Sequence, residues 1–133
     1  MMISPGTYTL AALGITTALS AQAQSAITGL DGIEGATIEC RFGYGSGGTT
    51  ASVTAQISFD GTNWLDVARF DFTTASAVKT ANLSAAAVQA IAAYVALASE
   101  GKNDGILAGQ MRAVINSTGT YVNSTLSLRM AAR

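Results

Sequence analysis

Residues 36–44 read Ala-Thr-Ile-Glu-Cys-Arg-Phe-Gly-Tyr, and residues 51–59 read Ala-Ser-Val-Thr-Ala-Gln-Ile-Ser-Phe. In the first stretch Ala36, Ile38, Cys40, Phe42 and Tyr44 share one parity, while Thr37, Glu39, Arg41 and Gly43 share the other. In the second, Val53, Ala55, Ile57 and Phe59 alternate with Ser52, Thr54, Gln56 and Ser58. Successive side chains of a strand point to opposite faces, so a sustained period of two marks a strand buried on one side. Gly43, Gly45, Ser46, Gly47 and Gly48 interrupt the pattern. They predict a mobile turn joining the two strands as a hairpin.

Working outward, Asp60-Gly61 supplies the next turn, because Gly tolerates positive φ and Asp bonds nearby amides, and Trp64 opens a third strand. Leu65 and Val67 occupy one parity there, and Ala68, Phe70 and Phe72 the other; a bulge near Val67 and Ala68 reconciles them. A shorter strand is expected over residues 77–83. Met111, Ala113 and Ile115 alternate with Arg112, Val114 and Asn116, a turn follows at Ser117–Thr120, and Val122, Leu126, Leu128 and Met130 share a face. These segments read as a second hairpin. Near the start, Tyr8, Leu10 and Ala12 alternate with Thr7, Thr9 and Ala11 as in a half-buried strand. One stretch departs from the β pattern. Ser84 suits a helix cap, Gly101 a helix end, and Val88, Ile91, Ala92 and Val95 fall at helical spacing, which predicts a short Ala-rich helix at about 84–99. Tyr94, Val95 and Leu97 also suit a strand, and a loop ordered on a neighbour is a third reading. Lys102–Gly105 reads as an exposed turn. Many short strands with Gly-rich turns predict an all-β chain, an antiparallel β-sandwich or jelly roll, with residues 1–133 as one domain.

Composition narrows the function. Ala, Ser, Thr and Gly fill about half of the 133 residues, and only 11% are Asp, Glu, Lys or Arg, against about 25% in an average soluble domain. A net charge of −1 provides no field for phosphate, so nucleic acid is not an expected partner, and the longest apolar run falls far short of the roughly 20 residues a membrane span needs, so a membrane is not expected either. The absence of His and the single Cys40 remove imidazole bases, Cys/His triads and zinc clusters. No cofactor, catalytic residue or metal ligand is expected. Residues 10–23, with Ala21-Gln22-Ala23, superficially fit a signal peptide, but no Lys or Arg precedes Arg41 and Thr7, Thr9, Gly14, Thr16 and Thr17 interrupt the apolar run. Secretion by a signal peptide is therefore not expected, and the triplets at Asn82, Asn116 and Asn123 read as turn and strand chemistry rather than glycosylation sites.

Ser58-Phe59-Asp60-Gly61-Thr62-Asn63-Trp64 resembles the Asp-box of sialidase-type propellers, one residue tighter. It occurs once, so Ser58, Asp60, Gly61 and Trp64 are assigned to a structural turn. Asp60, Asp66 and Asp71 lie on mixed parity and read as solvated strand charges rather than a glycosidase pair. Asp31 and Glu34, or Asn103 and Asp104, lack the ligand density of a calcium loop. The loop 43–48 lacks the Lys and following helix of a phosphate-binding loop.

Taken as a series, residues 30–83 and 109–133 resemble a group of small structural proteins encoded among the virion genes of tailed bacteriophages and prophages. The resemblance rests on the YGSGGTT loop, the SxDG…W turn, the FDFTTASA segment and the terminal Arg112…TGTY hairpin. It departs at residues 84–101, where an Ala-rich stretch replaces a more Pro- and Thr-rich loop. The resemblance implies a non-enzymatic particle component assembled in the host cytoplasm, in many symmetric copies or as a homo-oligomer. The leading expectation is a capsid decoration protein bound to the major capsid protein or another virion protein, and low charge on a small-residue β domain agrees with extensive burial against neighbours. Expected contact residues are an N-terminal arm over residues 1–8, including Ile3 and Tyr8, and Val88, Ile91, Tyr94, Val95 and Leu97 in the atypical stretch. The rival reading is a neck- or tail-associated β-sandwich that binds host glycan through Tyr44, Trp64 and Tyr121, whose ring faces suit sugars.

Overall fold

The computed structural model describes residues 6–87 and 89–133, so the candidate contacts Ile3 and Val88 lie outside the described residues. Among these residues the strands are, in chain order, β1 (Gly6–Ile15), β2 (Gln22–Ala23), β3 (Gly35–Gly43), β4 (Ser46–Gly47), β5 (Thr50–Ser58), β6 (Trp64–Phe72), β7 (Ala77–Ser84), β8 (Gly101–Lys102), β9 (Gln110–Thr118), β10 (Tyr121–Val122) and β11 (Ser124–Ala132). They form two antiparallel sheets, ordered β1-β11-β3-β7 and β2-β9-β5-β6-β8, with β4 and β10 paired separately. The sheets face each other across one core as a sandwich. Ile38, Cys40, Phe42, Leu126, Leu128 and Met130 come from the first, and Val53, Ala55, Ile57, Val67, Met111 and Ile115 from the second. Each fully buried aliphatic side chain contributes about 1.5–3 kcal/mol, which is how a chain poor in aromatics assembles a stable interior. Burial pushes the Cys40 thiol up to about 12.

The alternation at 36–43 and 51–57 corresponds to the inner faces of β3 and β5, but the two strands are not a hairpin. β3 belongs to one sheet and β5 to the other, so the loop between them crosses the sandwich. The same correction applies to the C-terminal pair: β9 lies beside β5, whereas β11 lies between β1 and β3. Parity reports which side chains are buried, and an arch between sheets buries the same ones as a hairpin within a sheet. The two crossings run side by side. Tyr121 and Val122 pair with Gly47 and Ser46, and Gly48 and Thr49 donate backbone hydrogen bonds to Thr120 and Thr118 carbonyls at 2.8 and 2.9 Å. The glycine-rich loop is thus a packed seam rather than the mobile turn expected. Gly48 takes φ +69°, and a Cβ there would overlap the Tyr121 ring.

Among the described residues only β5 and β6, joined through Asp60-Gly61, make a hairpin of two long strands consecutive in sequence. The bulge expected near Val67 is present: Ala55 faces Ala68 and Gln56 faces Asp66, leaving Val67 as the extra residue. A second bulge, between Thr9 and Ala11 in β1, moves Ala11 inward and leaves Ala12 exposed, the reverse of simple alternation. Val122 is likewise outside rather than on the face of Leu126. Asn123 takes φ 51°, a left-handed conformation that Asn tolerates better than most residues, and it resets the parity before β11.

No helix forms over 84–99 among the described residues. Ser84 ends β7, and its hydroxyl accepts the Ala86 amide at 3.1 Å for a single turn that is not continued. A helix this short draws most of its stability from packing an apolar face, and both inner sheet faces are already filled by one another. The Lys102–Gly105 segment is also not a free turn: Lys102 is in β8, and Asn103 and Asp104 are half-buried.

Candidate functional site

Residues 84–99 contain no charged side chain, yet Gln89–Ala96 are all exposed, with Ile91 fully in solvent and Val95 at 72%. This is an extended strap, and its attachment follows from the β6 bulge. Beside the extra residue Val67, the Asp66 backbone amide and carbonyl lie beyond the short β8 pairing, which covers only Ala68 and Arg69. The Asp66 N–H instead donates to the Tyr94 hydroxyl at 2.7 Å, and the Asp66 carbonyl accepts from Asn103 Nδ2 at 2.9 Å. The Asp66 carboxylate then accepts the Leu97 amide at 3.0 Å, and Arg69 donates to the Leu97 carbonyl at 3.0 Å. Leu97 is half-buried and Tyr94 is 44% exposed, so both act as anchors. Burial raises the Tyr94 hydroxyl above its ordinary range. Of the residues expected to form contacts, the strap therefore brings Ile91, Tyr94, Val95 and Leu97 together, with Ile91 and Val95 outward. Tyr8 lies elsewhere, half-buried on β1.

The anchor continues into the Asp-box-like hairpin. Gln56 donates to the Asp66 carboxylate at 2.8 Å and accepts from Arg112 at 2.9 Å, and the Arg112 guanidinium stacks over the Trp64 ring at 4.2 Å. In the turn itself the buried Ser58 hydroxyl accepts the Gly61 amide at 2.8 Å, and Asp60 accepts the Thr62 and Asn63 amides at 2.9 and 2.8 Å. Those amide bonds, the Asn63 one foremost, hold the Asp60 carboxyl far below its usual range. Gly61 takes φ +79°. The Ser58 hydroxyl and both oxygens of the Asp60 carboxylate are thus used within the turn.

The three aromatics assigned to a glycan surface do not form one. Tyr121 is buried, donates its hydroxyl to the Thr73 carbonyl at 2.7 Å, and packs edge-on to Phe42 and Tyr44 at 5.6 and 6.1 Å. Tyr44 donates to the Gly47 carbonyl at 2.9 Å within the same seam. Trp64 sits at the opposite end of β6 from Phe72, which stacks on Phe42, and Arg112 covers its face. The bulge puts Asp66 and Asp71 on one face of β6, correcting the mixed parity read from sequence, but Asp66 is committed to Gln56 and Leu97 and Asp71 to Arg69. Asp104 accepts the Ser84 amide at 2.8 Å and pairs with Lys102. Among the described residues no group of three or more metal-ligating side chains occurs, and no helix is long and apolar enough to cross a membrane. Sequence reasoning missed Phe59, which is 70% exposed although it follows the inward parity of Val53, Ala55 and Ile57. The hairpin departs from strand geometry after Ser58, so parity no longer applies there.

Comparison with family models, curated proteins and solved structures finds no match to this chain.

Proposed function

We propose that this chain is a non-enzymatic virion structural protein of a tailed bacteriophage or prophage, a decoration protein that docks on the major capsid protein through its exposed strap. The observation that carries the reading is the strap itself. A charge-free run of Ala, Ile, Tyr and Val is held out in solvent by four hydrogen bonds between it and β6 or Asn103, at Tyr94, Leu97 and Val95. Fixing the strap before association lowers the ordering cost that binding a loop otherwise carries. Exposed apolar surface of this kind is characteristic of an interaction site. The series of motifs resembling small virion proteins supplies the context, and binding to assembled shells would stabilise them by mass action.

The glycan reading has no comparable support, because Trp64 lies apart from Tyr44 and Tyr121, which pack on each other, and all three rings are engaged within the fold. The deciding experiment is the copy number of the chain in purified particles, by quantitative mass spectrometry against the major capsid protein. Decoration requires a copy number comparable with that of the capsid subunit or a simple fraction of it, and Ile91→Asp/Val95→Asp should lower the occupancy while leaving the fold intact. A handful of copies per particle would move the chain to the neck or tail; absence would discard the virion reading.

A further inference from the structure

A two-sheet sandwich has four edges, and three of them are closed by the chain itself. The β9 edge is covered by residues 17–30: Ser117 exchanges hydrogen bonds with Leu19 and Thr17, β2 pairs with Val114 and Ile115, Ile27 bridges Met111, and Leu30 donates to Gly109. The β6 edge is covered by β8, Tyr94 and Asn103. The β7 edge is capped by side chains, since Asp104 accepts the Ser84 amide at 2.8 Å and Lys102 donates to the Asn82 carbonyl at 2.9 Å. Lys79, on the inner parity of β7, adds a charge there and pairs with Glu100 at 2.7 Å. These are the ordinary means by which sheets prevent pairing with other chains.

The β1 edge has none of them along Ala11–Ile15 among the described residues. No charged residue occurs before Asp31, and the bulge at Leu10 leaves Ala11–Ile15 as a regular run in register with Ser124–Leu128 of β11. Its solvent-face residues, Ala12 and Gly14, are small, and its inner-face Leu13 is only half-buried. We propose that this edge pairs antiparallel with the same edge of a second copy of the chain, joining two four-stranded sheets into one of eight strands. A dyad near Leu13 sets Ala12 of one copy against Gly14 of the other, so small residues meet without steric or charge conflict, and both Leu13 side chains lose solvent. The second copy is the occupant the chain itself selects. An isologous pair needs only the open β1 edge, whereas a head-to-tail chain of copies needs β7, which is capped, so the assembly closes as a dimer rather than growing as a fibre. The inference is independent of whether the strap docks on a shell.

Sedimentation velocity of the full chain at about 100 µM, a concentration that populates even a weak strand-pairing dimer, should give twice the 13.5 kDa monomer mass. The variant Ala12→Lys/Gly14→Lys should sediment as a monomer with an unchanged circular dichroism spectrum; a Cβ at Gly14 meets nothing closer than 3.7 Å, so the fold accommodates it. Should that variant misfold, hydrogen exchange on the wild-type chain decides: amides of Ala11–Ile15 should exchange several-fold faster on dilution, while those of β5 do not change. A wild-type monomer at this concentration, a dimer that survives in the correctly folded double variant, or β1 exchange indifferent to concentration would each overturn the proposal.

Discussion

Replacing Gly48 with Ala tests whether the glycine-rich loop is a packed seam between the sheets. Gly48 takes φ +69°, and the added methyl would fall on the Tyr121 ring. The left-handed backbone costs an L-residue about 1–2 kcal/mol. The ring has little room to retreat, being buried, edge-on to Phe42 and Tyr44, and tied by its hydroxyl to the Thr73 carbonyl. Overpacking of that kind costs about 1–3 kcal/mol. The loss of glycine's freedom in the unfolded chain returns about 0.4–1 kcal/mol. The net is a destabilisation of about 1–4.5 kcal/mol, which in a domain of this size lowers the melting temperature by roughly 4–20 °C. Urea unfolding monitored by Trp64 fluorescence, with thermal melting alongside, measures it. Gly101→Ala is the control, because its Cβ would meet nothing closer than 3.9 Å and its φ is ordinary. In a Tyr121→Ala background, itself destabilised by the cavity it opens, Gly48→Ala should cost only the backbone part. If Gly48→Ala is within about 0.5 kcal/mol of wild type, the range of an unconstrained surface change, the seam does not exist and the loop is mobile.

Tyr94→Phe removes the acceptor for the Asp66 amide and should free the strap without unfolding the sandwich; limited proteolysis should then cut within residues 89–97 much faster while the urea midpoint falls little. Acid stability depends on Asp60, Glu100 and Asp104, whose carboxyls are lowered by the Asn63 amide, by Lys79 and by the Ser84 amide respectively. A lowered folded-state value means that their stabilisation is complete above the unfolded range near pH 4 and is lost as pH falls below it. Asp60→Asn should therefore flatten the urea midpoint between about pH 4 and 2, and an unchanged slope would show that the turn contributes nothing to it. Cys40 should resist thiol reagents at pH 8 in the folded chain and react at once in urea, since burial keeps it protonated with its thiol pushed up to about 12.

Strand positions were legible in this sequence because a half-buried strand writes its faces directly into alternation, as at Ile38, Cys40 and Phe42 or Val53, Ala55 and Ile57. The pairing of strands was not. Gly43–Gly48 and Ser117–Thr120 have the composition of hairpin turns, yet both links change sheets, and what separates an arch from a hairpin is the contact between two distant loops, Ser46–Gly47 with Tyr121–Val122. A single stretch of sequence carries no record of that contact. Where alternation failed, the cause was local and physical: a bulge at Leu10 and a left-handed Asn123 each shift the parity by one residue.

The strap illustrates the opposite limit. Helical spacing at Ile91, Ala92 and Val95 is a real feature of the sequence, but spacing selects a helix only when there is a surface to receive the apolar face. Here the sandwich is closed, and the nearest partners on offer are the polar groups around the β6 bulge. Asp66 takes the Leu97 amide with its carboxylate and the Tyr94 hydroxyl with its own amide, and Arg69 takes the Leu97 carbonyl. Leu97 gives both backbone groups to β6, whereas in a helix over 84–99 its amide would already be spent on the carbonyl four residues earlier. The bulge at Val67 therefore determines the conformation of a segment some thirty residues further along the chain, and a side chain such as Asp66, read from sequence as a solvated strand charge, becomes the residue on which the exposed surface depends.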